Sequence, residues 1–246
     1  MHSQTFTMRG VARTLSVRSF AAFLGLASVS VMPVLAQQTA PQGVLPAACV
    51  PHLFKGQLPQ ALSPALQHQS AVICNQGFAG LFNGVAGGPM YAAEYVEEKA
   101  LQQSSRMTRL PRPPFHAESA LAKVGLTSPQ DADYIGSRYY RTPLSTPRNR
   151  ASDRARWEAY SYANVAPMEP SLATDLWVRL EEAIQGMVRN PDGGVRKGPA
   201  YVVTGAVYNG AQERIGGSQR GSMVPTAFYK AMYFPVSESA GAYWVP

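Results

Sequence analysis

Histidine is nearly absent from this sequence of 246 residues. There are four, His2, His52, His68 and His116, and none follows residue 116. Acid–base chemistry in the C-terminal half must therefore do without the one side chain whose ordinary pKa lies near neutrality. Cysteine stops at two, Cys49 and Cys74, with no C-x-x-C spacing and no histidine cluster, which argues against a zinc or thiol-redox motif. No segment after the N-terminal region is apolar for eighteen residues, so none reads as a transmembrane helix. Neither a phosphate-cradling P-loop nor a dinucleotide fingerprint occurs. The glycine-rich run Gly216-Gly217-Ser218-Gln219-Arg220-Gly221 has the wrong spacing for a nucleophile elbow and suits a hairpin loop. Internal repeats and low-complexity blocks are lacking as well.

What is present begins with an export signal. Arg9, Arg13 and Arg18 supply positive charge, Phe20 to Val31 forms a short apolar core, and Val34-Leu35-Ala36 offers small residues for cleavage. This divides the chain into a signal peptide over 1–36, a flexible lead-in over 37–46 and one domain over 47–246, and predicts a periplasmic or secreted product cleaved near Ala36. In an oxidising compartment an even pair of cysteines reads as a disulfide, here between Cys49 and Cys74. The formal charge is +7, from 22 Lys and Arg against 15 Asp and Glu. Removing the three leader arginines brings it to +4. The remaining basicity is concentrated: Arg138, Arg141, Arg148, Arg150, Arg154 and Arg156 face only Asp153 within residues 138–156. Such a cluster either tracks a phosphate backbone or forms an ordinary solvated loop.

Proline at 111, 113 and 114 makes residues 106–114 a surface connection. From Ser171 to Met187 the apolar positions Leu172, Leu176, Leu180, Ala183, Ile184 and Met187 recur at three and four, predicting a helix that Asn190-Pro191-Asp192-Gly193-Gly194 breaks. The runs Tyr201–Val207 and Met223–Phe234, rich in aromatic and β-branched residues, read as strands.

Three stretches then stand out: Tyr139-Tyr140-Arg141-Thr142-Pro143-Leu144, Tyr162-Ala163-Asn164-Val165-Ala166-Pro167 and Leu176-Trp177-Val178-Arg179-Leu180-Glu181. Their order and spacing resemble the DNA/RNA non-specific endonucleases, the ββα-metal or His-Me finger nucleases. Those carry D-R-G-H on a strand, an L-A-N-M-x-P-Q stretch about twenty residues later, and N-x-G-x-W-x-x-L-E at the start of a helix. Upstream, Ile73 to Phe82 and Gly87 to Glu94 resemble the family's first strand pair, with its T-R-x-P-L-W arginine falling on Gly87. Tyr201–Tyr208 and Val224–Ala231 resemble its late strands. The similarity runs from about residue 45 to the C-terminus. It implies an α+β fold, an antiparallel sheet with packed helices and a ββα-metal motif, which ends at Trp244-Val245-Pro246 where family members usually continue. The chain thus reads as C-terminally truncated, leaving an uncovered edge that could take a protein partner.

Aligned without gaps, D-R-G-H falls on Tyr140-Arg141-Thr142-Pro143. The general-base histidine is therefore replaced by Pro143, which has no titratable group. The family's metal-binding asparagine falls on Ala173, which has no side-chain oxygen, and the following glycine on Asp175. The resemblance implies Mg²⁺ as cofactor and DNA or RNA as partner, with metal binding weak or absent here. Arg141 keeps the family's arginine. Glu181 coincides with its helical glutamate, or else is a solvated carboxylate beside Glu182. Asp175 is a candidate substitute ligand, with Glu169 and Asn164 nearby, and His116 reads as a structural or surface histidine. Trp157, Tyr139 and Tyr140 either stack on bases or belong to the core. The expectation is an exported, catalytically impaired endonuclease-like protein that still holds nucleic acid. Its rivals are an active metal-dependent endonuclease and a protein-interaction module.

Overall fold

A computed structural model describes residues 45–60, 69–108, 110, 113–189, 198–210, 213–217 and 221–246. The expected signal peptide, most of the lead-in and the helix-breaking segment 190–194 lie outside these residues, as does part of the proline-rich connection. Among the described residues no helix is long and apolar enough to cross a membrane.

In chain order the elements are β1 (Ser70–Cys74), β2 (Ala79–Asn83), β3 (Gly88–Val96), α1 (Glu98–Arg106), α2 (Ser119–Lys123), α3 (Asp131–Tyr134), β4 (Tyr140–Pro143), α4 (Asp153–Glu158), β5 (Val165–Met168), α5 (Trp177–Arg189), β6 (Ala200–Val207), β7 (Ala227–Phe234) and β8 (Ser239–Val245). Six strands form one sheet in the order β1-β2-β3-β6-β7-β8, with every pairing antiparallel. A separate two-stranded ribbon pairs β4 with β5. Ribbon and α5 together make the ββα unit, so the mixed architecture with a large antiparallel sheet is as expected. The strand predicted over Met223–Phe234 begins only at Ala227, because Met223 and Val224 bond to Ala86 and Glu213 instead. Strand β8 was not foreseen: its Ser-Ala-Gly start carries little β preference, and register with β7 supplies the pairing.

Alternation along the strands decides what the sheet presents to α5. Along β7 the inward positions are Phe228, Lys230, Met232 and Phe234, all buried. Thr204 of β6 lies opposite Lys230, and Glu94 of β3 opposite Val202. Helix α5 buries Trp177, Leu180, Ile184 and Val188 at spacings of three and four. Ile184 and Val188 join Val96, Leu101, Val202 and Phe234 in one cluster, while Trp177 joins Phe78, Phe82, Leu121, Leu144 and Phe228 in another. Burying each of the larger apolar side chains contributes about 1.5–3 kcal/mol. Cys49 and Leu53 pack with Ala93, which points to the opposite side of β3 from Glu94.

Cys49 and Cys74 are joined in a disulfide that closes 25 residues and ties the N-terminal segment to the end of β1. On the loop-entropy account a crosslink of this span stabilises the fold by about 3–4 kcal/mol. Urea titration of a Cys49→Ala/Cys74→Ala variant should show a loss of that order, with little change if the bond contributes no constraint.

Candidate functional site

The ββα unit surrounds a cavity of about 890 Å³. Pro143 and Ala173 both line it, so two positions thirty residues apart in sequence face one space. The ribbon brings them there. Pro143 ends β4 opposite Val165, and just beyond it the Leu144 N–H donates to the Asn164 carbonyl at 2.8 Å. The Asn164 side chain closes this corner: its Oδ1 accepts from Ser145 N–H at 2.9 Å, and its Nδ2 donates to the Ser145 and Ala159 carbonyls at 2.8 Å each. Its amide is buried and spent on this corner, and Asn164 does not line the cavity.

The second wall is one row of the helix. Ala173, Trp177, Glu181, Gln185 and Arg189 all line the cavity at intervals of four, the spacing that places side chains on a common helical ridge. The turn carrying Ala173, Leu172–Leu176, is wound as a π-helix, a feature often found at functional sites. Arg189 escaped the sequence reading, which tracked arginines only across residues 138–156. The four-residue repeat from Glu181 was the available signal.

Two pairs of buried charges lie in this part of the fold. Arg150 and Glu94 form an ion pair with side-chain exposures of 4% and 2%, and Arg150 also donates to the Gly77 carbonyl and the Ser145 hydroxyl. Glu94 accepts from Asn149 Nδ2 at 2.9 Å, and Asn149 Oδ1 accepts from Gln185 Nε2 at 2.9 Å. A continuous polar chain thus links the β1–β2 turn to the cavity wall. Lys230 lies beneath Trp177, its Nζ 4.3 Å from the ring centroid, and donates to Thr204 Oγ1 at 3.0 Å. Burial raises the Glu181 carboxyl above its usual 4.5, with Lys230 the strongest opposing influence. Burial likewise depresses Lys230, with Glu181 opposing. Each charge makes the other's burial tolerable.

Only some of the anticipated residues meet here. Arg141, Arg148 and Arg156 line the cavity. Arg141 is held by Asp131 at 2.6 Å and lies over the Phe115 ring at 4.7 Å. Arg148 pairs with Glu182 at 2.8 Å, both half exposed. Arg156 is buried and donates to the Thr108 carbonyl at 2.7 Å. Arg150 departs from the expectation, since its burial with Glu94 leaves it no phosphate to meet. Arg138 bridges Glu169 and Glu213, and Arg154 pairs with Glu158 at 2.6 Å; neither lines the cavity. Asp175, the candidate substitute ligand, does not line it either and pairs with Arg179 at 2.7 Å. Tyr139 is core, its hydroxyl donating to Glu213 at 2.8 Å. Trp157 stacks on His116 at 3.6 Å.

Among the described residues no group of three or more His, Cys, Asp or Glu converges. The single carboxylate of the lining, Glu181, shares its surroundings with Lys230 and Arg148.

A sequence profile of the DNA/RNA non-specific endonucleases matches residues 61–246, the ribbon, α5 and the sheet included. The chain belongs to that family. It is 27% identical over 120 residues to the Nuclease of Serratia marcescens, an alignment covering 46% of this chain and 42% of that protein, so the chain matches less than half of the relative's length. Its fold is similar to that in a crystal structure of the EndoG/EndoGI complex, described as showing the mechanism of EndoG inhibition: TM-score 0.55, 19% identity, 71% of this chain and 73% of the other. In this endonuclease-family member Pro143 and Ala173 both line the cavity between ribbon and helix.

Two outcomes follow from the buried charges. Arg150→Met leaves Glu94 buried without its partner and should cost about 3–5 kcal/mol in urea unfolding; a cost below 1 kcal/mol would contradict the burial described. Glu181→Gln tests the raised carboxyl. In the folded protein it binds its proton more tightly than in the unfolded chain, so its contribution is fully present below about pH 4.5 and fades as pH rises through the higher folded value. The variant should gain stability relative to the parent over that rise, as followed by thermal unfolding at stepped pH.

Proposed function

We propose that this chain is a catalytically impaired member of the endonuclease family that holds nucleic acid in the arginine-lined cavity of its ββα unit. The observation that carries the reading is the convergence of Pro143 and Ala173 on that cavity. One cannot accept a proton and the other cannot ligate, at the positions aligned with the family's base and metal ligand. Loss of a general base alone commonly costs about a hundred- to ten-thousand-fold in rate. Four arginines against one carboxylate in the lining support retention of a polyanion. Mg²⁺ is implied by the family and is weak or absent in this reading. Export to the periplasm or medium, with cleavage near Ala36, belongs to the same proposal and is supported by the Cys49–Cys74 disulfide.

One observation favours a second reading. Glu181, with its raised carboxyl at the cavity wall, has the character of a general base. In that case the chain is an active metal-dependent endonuclease. A protein-interaction role is the third reading; β8 is an edge strand with Trp244 exposed, and the structural neighbour is itself a complex with an inhibitor.

Purified protein incubated with plasmid DNA and with RNA, in Mg²⁺, Mn²⁺ or EDTA, should retard both nucleic acids without cutting them. Retardation should weaken steeply with salt and need no metal. Pro143→His/Ala173→Asn should cut in Mg²⁺. Metal-dependent cleavage by the unaltered protein that disappears in Glu181→Gln would overturn the impaired reading in favour of the second. Absence of any retardation would favour the third.

A further inference from the structure

We propose that the cavity takes single-stranded nucleic acid, lodging an unstacked base against Tyr140 while phosphates enter to reach the arginines. The inference rests on the nucleic-acid reading above and narrows it to a substrate class.

The first observation is where the cations sit. Arg156 is only 8% exposed, and Arg141 and Arg189 are partly buried, so the charge lines a concavity. A duplex is a stiff, convex rod whose phosphates lie on its outside, and it meets charges spread over a surface. A single strand can bend its backbone into a recess. The volume, about 890 Å³, is in the range of cavities that engulf small organic ligands.

The second is what lines the cavity beside the cations. Phe115, Tyr140 and Tyr160 line the same cavity. Phe115 meets Tyr160 edge to face with centroids 5.2 Å apart, and Arg141 covers one Phe115 face, so these rings are already fixed in the wall. Tyr140 is 51% exposed. An aromatic face of this kind rewards a base only where the base's own face is free, and in a duplex both faces are covered by neighbouring pairs. Stacking on protein rings is accordingly a device of single-strand recognition and is tolerant of sequence.

The third is the chemistry of the replacement. Tyr140 stands where the aligned motif has aspartate. The change removes a negative charge that would repel phosphate and puts a ring in its place. Together with Pro143 and Ala173 it makes the site less acidic and more apolar, a change that favours a base as much as it disfavours hydrolysis.

The test is fluorescence anisotropy with a labelled mixed-sequence 12-mer as single-stranded DNA, as single-stranded RNA and as blunt duplex DNA, in EDTA, with unlabelled heparin as a polyanion without bases. Both single strands should bind about ten-fold or more tightly than the duplex and resist heparin competition better. The ratio of single-strand to duplex affinity should fall about ten-fold in Tyr140→Ala, the range expected for one stacked base, and be kept in Tyr140→Phe. Equal affinity for single strand and duplex, or a ratio unmoved by Tyr140→Ala, would overturn the inference while leaving nucleic-acid binding intact. No binding of any nucleic acid would overturn both. Tyr140 is half exposed, and matching thermal unfolding of the variants would show that the readout is not a folding defect.

Discussion

Glu94 and Arg150 meet in a place where neither could remain charged alone. An isolated ion in a protein interior costs several kcal/mol even after relaxation, and the mutual attraction offsets this only when the remaining donors and acceptors are also satisfied. Here they are. Arg150 spends its other donors on Gly77, Ser145 and the Thr146 carbonyl, and Glu94 takes a further bond from Asn149. The pair therefore fixes three separate pieces of chain at once: the turn after β1, the strand β3 and the segment leaving the ribbon. Gly77 must stay small for this, since a Cβ there would come within 2.8 Å of the Arg150 side chain. A second buried cation, Lys230, holds the ribbon from below by donating to the Leu144 carbonyl at 3.4 Å and lies under Trp177. Ribbon, sheet and helix are thus held in register by polar contacts at their junction, with apolar packing filling the rest.

That arrangement explains how the cavity can persist without the groups that the aligned motif would place in it. Pro143 and Ala173 contribute surface to the cavity, and their side chains carry no group that could hydrogen-bond to the frame. Proline is acceptable at the last residue of β4 because a two-stranded ribbon leaves one edge of each strand unpaired, and proline is confined to such positions. Alanine is acceptable in the π-turn for the simpler reason that it is the strongest helix former. At these two positions the chemistry of the lining and the integrity of the walls are separate quantities, although other lining residues such as Trp177 and Gln185 also belong to the frame.

The legible part of the fold was the part governed by period and motif spacing. The Trp177 helix and the β6 strand follow from local preference and pattern, and the convergence of the ribbon on the helix is what the family resemblance implied. The illegible part was set by partners distant in sequence. Arg150 looked like its neighbours in an arginine-rich run, and nothing local says that it turns inward to Glu94, fifty-six residues earlier. Period two along Phe228-Tyr229-Lys230-Ala231-Met232 sets Lys230 on the face of two core residues, a signal for a buried charge that reading the strand by composition passes over. Asp175 and Arg179 were the reverse case: a carboxylate near the motif found an arginine one helical turn away and stayed at the surface.

The distribution of charge between frame and cavity bears on what the site can hold. The wall's buried carboxylates are turned toward its own cations, Glu94 in an ion pair with Arg150 and Glu181 under the influence of Lys230. What remains facing the cavity is positive, from arginines whose partners are a carbonyl, an exposed carboxylate or an aromatic face. Such cations are oriented without being neutralised by buried anions, so a phosphate would meet donors already pointing in fixed directions and would lose little freedom in engaging them. The same four arginines make a divalent cation unfavourable there unless a substrate phosphate arrives with it. In the function proposed, retention of a polyanion and weak retention of a free metal ion are consequences of one electrostatic layout.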